Sequence, residues 1–252
     1  MRLAEKVNAL EPGVRTAPWP GHELLRGYAV MALPFSSGYL LALRVWVQND
    51  FAPYRSVWIR SPEGEWRMVN DGPLLEATCP RYWEPAVTNA TLGEINLTWE
   101  SQAELTVQMD QPRFVWRMHM VCPPFLRIMN ALHGSLPLWT WKFDPLVGIR
   151  EWMASGLLGM GDIQFSFRTP GGQQSLILPG EIYFIRSSRA VLEGEDLGRP
   201  VHLPHNPHIG GVRLPARPVF ASGQSFVRIE DRQDYRQLRK RTRGMTARRV
   251  ED

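Results

Sequence analysis

Hydrophobic and polar positions alternate with a period of two through most of the chain, most clearly between Gly38 and Val69. Tyr39, Leu41, Leu43, Val45 and Val47 fall on one face of an extended segment, and Leu40, Ala42, Arg44, Trp46 and Gln48 on the other. Asn49-Asp50-Phe51-Ala52-Pro53 breaks the run, because Asn and Asp form local turns and Pro53 has no N–H to give to a ladder. Val57 and Ile59 then alternate with Ser56, Trp58 and Arg60. Ser61-Pro62-Glu63-Gly64 has Pro second and Gly fourth, as a turn prefers, and Trp66 and Met68 restart the pattern. Three consecutive antiparallel strands are the expectation.

The rest of the chain extends this meander. Residues 1–22 form a lead-in with a short helix from Leu3 to Leu10 and a Pro/Gly-rich stretch, and a first strand runs from Leu24 to Leu33. Asp71 to Gly93 is punctuated by Pro73, Pro80 and Pro85 and reads as irregular; within it, Cys79-Pro80-Arg81-Tyr82-Trp83 puts aromatic and thiol side chains in a loop. Alternation returns at Ile95–Glu100 and Ala103–Met109, then at Arg113–Val121, where Phe114, Trp116, Met118 and Met120 oppose Arg113, Arg117 and His119. From Pro124 the period changes to about 3.6. Phe125, Ile128, Met129, Leu132 and Leu136, then Leu146, Ile149, Trp152, Met153 and Leu157, predict two short helices across 124–158. Their density of Met, Trp and Leu suits helices packed outside a sheet, a lid over a pocket, a homodimer face or a membrane-surface patch. Strands resume at Ile163, with hairpin turns at Pro170-Gly171-Gly172 and Pro179-Gly180, and a last short strand spans Val219 to Val227. Residues 229–252 form a basic helix and tail. The fold class is mainly β: about ten antiparallel strands in one domain at 23–228, closed into a barrel or curved sandwich, with a two-helix insertion and a C-terminal helix.

Composition narrows the functions. The 252 residues carry a formal charge of +4, but only three of the 29 basic residues are lysine, so the excess reflects an arginine bias and nucleic acid is not the expected partner. Two cysteines, Cys79 and Cys122, are too few for a disulfide framework or a structural zinc site. No apolar run is long enough to span a membrane, and the first residues lack the apolar core of a secretion signal. A cytoplasmic protein is expected.

Candidate chemistry is sparse. His202, His205 and His208 recur every third residue, but Pro204 and Pro207 favour a polyproline II run that rises about 9 Å per turn. Imidazoles so spaced do not converge on one metal ion, and no metal or cofactor is expected. Nucleophile-elbow, phosphate-loop, dinucleotide and zinc-protease motifs are missing from the sequence. What remains is the polar and aromatic face of the strands. If Arg44, Trp46, Gln48, Trp58, Arg60, Arg117 and His119 point into a closed barrel, with Tyr82 and Trp116 as further ligand-binding candidates, they make a Trp-walled slot with a few orienting charges. Buried arginines there need carboxylates, for which Asp50, Glu100, Glu151 and Asp162 are the candidates. In the opposite arrangement Leu41, Leu43 and Val45 point inward, and the Arg/Trp face lies outside under the helices.

The strand count, the meander GYLLALRVWVQND…YRSVWIR…EWRMV and the aromatic interior candidates resemble the lipocalin-like proteins of the carotenoid 1,2-hydratase group, over roughly residues 24–227. Some relatives in that group act as cyclases on apolar polyketides. Their catalytic motif does not carry over, and the group's members are typically longer, often with two barrel lobes. The resemblance implies a lipocalin-like barrel enclosing an apolar or polycyclic small molecule. It also implies cofactor-independent cyclisation, hydration or isomerisation; for such a reaction the residues themselves offer His119 or a carboxylic acid such as Asp50 to move a proton and Arg117 or Arg44 to stabilise negative charge. Binding or carriage of the same ligand without turnover, and an interaction module using the Met/Trp helices, are the alternatives.

Overall fold

Strands take 41% of the chain and helices 24%, as the dominance of period-two alternation requires. The computed structural model describes residues 2–134 and 136–251. A short helix α1 (Leu3–Asn8) precedes β1 (His22–Pro34), β2 (Leu40–Asn49), β3 (Tyr54–Arg60) and β4 (Trp66–Asp71). The proline-punctuated stretch that follows holds α2 (Pro80–Trp83), flanked by single 3-10 turns, and ends in β5 (Asn89–Leu92). Next come β6 (Asn96–Trp99), β7 (Glu104–Met109) and β8 (Phe114–Val121), then the insertion with α3 (Pro124–Gly134) and α4 (Asp144–Gly156). Finally β9 (Ser166–Arg168), β10 (Gln174–Leu192), β11 (Val219–Arg228) and α5 (Arg232–Glu251) complete the chain.

Ten of these strands lie in one path, β5-β4-β3-β2-β1-β11-β10-β8-β7-β6, with β9 paired to β10 at the side. Its ladders are antiparallel except between β4 and β5. The two ends of the path, β5 and β6, are consecutive in sequence but share no ladder among the described residues. The path is closed in the middle instead, where β11 pairs with β1 from Val30↔Phe220 to His22↔Arg228.

The sheet is curled. Tyr28 on β1 and Trp99 on β6 are five strand steps apart along the path, or about 24 Å if the sheet were flat. Their ring centroids are 6.3 Å apart, and Phe220 on β11 lies 6.0 Å from the same indole. The result is a half-barrel. Its concave side is filled by the aliphatic faces of both halves: Leu41, Leu43, Val57 and Ile59 share one core with Leu105, Val107, Trp116 and Met118. Of the two strand orientations compatible with the sequence, the aliphatic one is therefore the inner one. The physical reason is desolvation, since hydrocarbon faces meet there without leaving a guanidinium uncompensated.

The outer face is also covered. Leu40, Ala42, Tyr54, Trp58 and Trp66 pack beneath Tyr82, Phe167, Ile209, Val212 and Leu214. Farther along, Leu126, Trp141, Val147 and Ala154 of the insertion pack on Leu178, Phe184, Val219 and Phe226. At Pro179-Gly180 the sequence predicts a turn, but β10 runs straight through with a register shift between Pro179 and Glu181. A bulge leaves a residue unpaired, so a proline that cannot donate is tolerated in mid-strand.

One close approach fixes the curvature near the top of β1. The register shifts between Arg26 and Gly27, and a Cβ built on Gly27 would lie 1.9 Å from the Val45 carbonyl oxygen. Gly27→Ala should therefore lower unfolding stability by roughly 2 kcal/mol or more, read as the shift in a urea melt. Gly13→Ala, whose Cβ meets nothing within 4 Å, should move it little.

Candidate functional site

The outer face of β1, β2, β10 and β11 and the segments that cross it enclose a cavity of about 110 Å³. Period-two alternation brings Arg44 and Trp46 of β2 and Tyr54 and Trp58 of β3 to this side. The roof comes from Cys79, Tyr82 and Trp83 at α2, from Met160 to Phe167 after α4, and from Val212 to Leu214. The aromatic rings interlock: Trp58 and Trp83 meet edge to face at 5.0 Å, and Trp83 and Phe167 are 6.1 Å apart.

Arg44 is the buried charge in this wall; Arg213, which also lines it, is exposed and paired with Asp162. Arg44 is only 5% exposed, and its Cζ lies 4.5 Å from the centre of the Trp58 ring. The register of β1 against β2 slips between Val30 and Leu33, freeing backbone carbonyls on β1. Arg44 Nη1 donates to Val30 O at 2.6 Å and Leu43 O at 2.9 Å, and Nη2 to Met31 O at 3.3 Å. Burial brings the guanidinium down to about 10, so it still carries its charge at neutral pH. Beside it, the Tyr54 hydroxyl and Cys79 sulfur sit 3.7 Å apart. Burial pushes both well up or up, so both are neutral at pH 7. The Trp58 indole N–H donates to Ser56 Oγ at 2.9 Å.

Tyr82 connects the cavity to a second polar cluster. Its hydroxyl donates to Glu23 Oε2 at 2.6 Å, Arg81 donates to the same carboxylate at 2.8 Å, and Arg81 also reaches Asp234 on α5 at 2.8 Å. Asp50, at the end of β2, accepts from the Leu24 backbone N–H at 2.5 Å and from the Tyr235 hydroxyl at 2.6 Å. Phe51 and Ala77 enclose Leu238 of α5 alongside. This cluster docks α5 on the sheet.

Of the residues singled out from the sequence, Arg44, Trp46, Trp58 and Tyr82 come together at the cavity. The others do not. Trp116 is fully buried in the concave core, with its N–H on Ser188 at 2.8 Å. Arg117 and His119 are on the outer side of β8, opposite Arg189 and Ser187, four strands from β2, with Arg117 exposed. Gln48 ties down the lead-in by donating to Glu11 O at 2.9 Å. Asp50 has both oxygens engaged, one by the Leu24 N–H on β1 and the other by the Tyr235 hydroxyl on α5. The expected catalytic group of His119, Asp50 and Arg117 is thus corrected: these three are dispersed, because the shared polar face wraps the outside of a curled sheet instead of converging inside it. The aromatic cavity, too, is on the outer face; a separate, more open hollow of about 430 Å³ lies at the mouth of the concave side, between Tyr28, Val45 and Val47 on one half and Leu97 and Trp99 on the other. Tyr54 was legible in principle, since it follows from Trp58 by alternation at i−4. Of the roof residues, Ile163, Phe165 and Phe167 were legible as one face of an alternating run, but nothing local placed that face over β2 and β3.

Asp50 is buried, and burial holds its carboxyl above its ordinary value of 3.8. The folded chain therefore keeps a proton there that the unfolded chain releases, and the stability this group contributes is lost as pH rises from 3.8 through the raised value. The difference in urea midpoint between the native protein and Asp50→Asn should consequently fall as pH is raised from 4 to 7. A difference independent of pH would show that Asp50 titrates normally.

No protein-family model, curated protein or solved structure matches this chain.

Proposed function

We propose that the protein binds a small apolar molecule in the outer-face cavity and holds or carries it without turnover. The observation that carries this reading is the lining itself: interlocked indole and phenyl rings around one buried cation, with apolar residues outnumbering the hydroxyl and amide side chains such as Ser175, Gln164 and Gln224. At roughly 10–15 Å³ for each water-sized occupant, the space of about 110 Å³ suits a ligand body of about seven to eleven non-hydrogen atoms. Turnover is disfavoured by the protonation states. Tyr54, Cys79 and Tyr82 are all pushed up by burial, so none is poised to exchange a proton at neutral pH. Cyclisation, hydration or isomerisation of a polycyclic substrate would need both a larger space and such a group.

The test is a filling substitution. Ile177 lines the cavity from β10 and is only half-buried. Ile177→Trp should weaken binding of small aromatic ligands at least tenfold in calorimetric titration while leaving the far-ultraviolet circular dichroism unchanged. Unaltered affinity would put the ligand elsewhere.

A second reading has its own observation. Nine of the eleven large apolar side chains that stand exposed among the described residues fall between Phe125 and Leu157. Trp139 is 65% and Trp152 69% exposed, while Leu126, Val147 and Ala154 face the sheet. Residues 123–143 include Arg127 and Lys142 and no acid. No helix among the described residues is long and apolar enough to cross a membrane. Indoles and phenyls beside basic residues are the make-up of a face that lies on an anionic bilayer surface. In vesicle flotation, the double variant Trp139→Ser/Trp152→Ser should lose most of the bound fraction. Flotation equal to that of the native chain would overturn this reading, and a concentration-dependent dimer lost in the same variant would assign the face to a second copy.

A further inference from the structure

We infer that the ligand of the outer-face cavity is a carboxylate: a cyclic, preferably aromatic, acid whose charged end docks on Arg44. This deepens the binding reading above and rests on it.

The inference starts from charge balance. Arg44 lines the cavity, is almost fully buried and makes no ion pair among the described residues. Each carboxylate that the sequence offers as its partner is occupied or remote. Asp50 is held by Leu24 and Tyr235, Glu151 accepts the Phe165 N–H at 2.6 Å, Asp162 pairs with Arg213, and Glu100 is exposed. Glu23, the buried acid nearest the roof, is taken by Arg81 and Tyr82. The groups beside Arg44, Tyr54 and Cys79, are neutral. Three backbone carbonyls and the Trp58 ring offset part of the desolvation cost, but they bring no net negative charge.

The hydrogen-bond count points the same way. A guanidinium has five N–H donors, and the three bonds to Val30, Leu43 and Met31 use both hydrogens of Nη1 and one of Nη2. Nε makes no hydrogen bond among the described residues, so the guanidinium keeps donor capacity that a carboxylate would engage. The register slip in β1 fixes the guanidinium beforehand, so little side-chain freedom is lost on binding. Trp58, Trp83 and Phe167 then supply faces and edges for the ring.

The test compares acids with alcohols of the same body. Benzoate, cinnamate and 1-naphthoate would each be titrated calorimetrically against benzyl alcohol, cinnamyl alcohol and 1-naphthalenemethanol, using the full chain at pH 7.5. At least one acid should bind ten- to a hundredfold tighter than its alcohol, the span expected for a hydrogen-bonded charge. Ile177→Trp should block that binding. Arg44→Met should bring the acid down to its alcohol, and Arg44→Lys should keep part of the preference. If acid and alcohol bind the native chain equally, the carboxylate inference is overturned and the binding reading stands. If none of the six binds, the binding reading itself is overturned. Because the native chain alone distinguishes these outcomes, the test holds even if Arg44→Met fails to fold.

Discussion

The centre of the concave side of the curled sheet is filled by its own side chains, and the placing of everything else follows from that. Leu41, Leu43, Val57 and Ile59 meet Leu105, Val107, Trp116 and Met118 across the interior, and such a close-packed core excludes a ligand from the space it fills. The polar and aromatic alternates of the same strands are thereby turned outward. An outward face carrying Trp58, Trp66 and a buried arginine cannot be left to water at no cost, so the chain covers it with α2, with the segment after α4 and with Ile209–Leu214. The cavity is the imperfect join between that face and its cover.

The cover is tied to the C-terminal helix. Tyr82 contributes to the cavity wall and donates to Glu23; Arg81 next to it links Glu23 to Asp234 at the start of α5. The next residue, Tyr235, donates to Asp50. Glu23 and Asp50 are buried acids with specific partners, which are costly to break singly and thus fix an orientation more than they add stability. A change at α5 accordingly has a short, fully bonded route to the roof of the cavity, through side chains that have no other role.

Much of the scaffold was legible in the sequence. Alternation located β1 to β4 and β6 to β8, the change of period located α3 and α4, and turn residues located the β9–β10 hairpin. Legibility failed where a choice depends on partners distant in the chain. Alternation says that Leu43 and Arg44 face opposite ways but not which way is in; that is decided by the equally aliphatic face of β7 and β8 curling over to meet Leu43. For the same reason Arg44, Trp46, Trp58 and Tyr82 could be recognised as a group, whereas Arg117 and His119 were grouped with them only through a shared face that is too long to be one site. Pro179 misled because a bulge, invisible in local sequence, excuses it from donating.

The ladder between β1 and β11 has a consequence for how the chain reaches this state. Most pairings in the sheet join strands that are neighbours in sequence, and these form by closing short loops. The β1–β11 pairing alone brings together the two extremes of the sheet, from His22↔Arg228 to Val30↔Phe220. Such a contact of maximal sequence separation has the largest loop-closure entropy to overcome, and it sets a high contact order on an otherwise local topology. Two preassembled meanders zipping along one late seam is the order of events this architecture favours, with the outer cavity taking shape only once that seam is made.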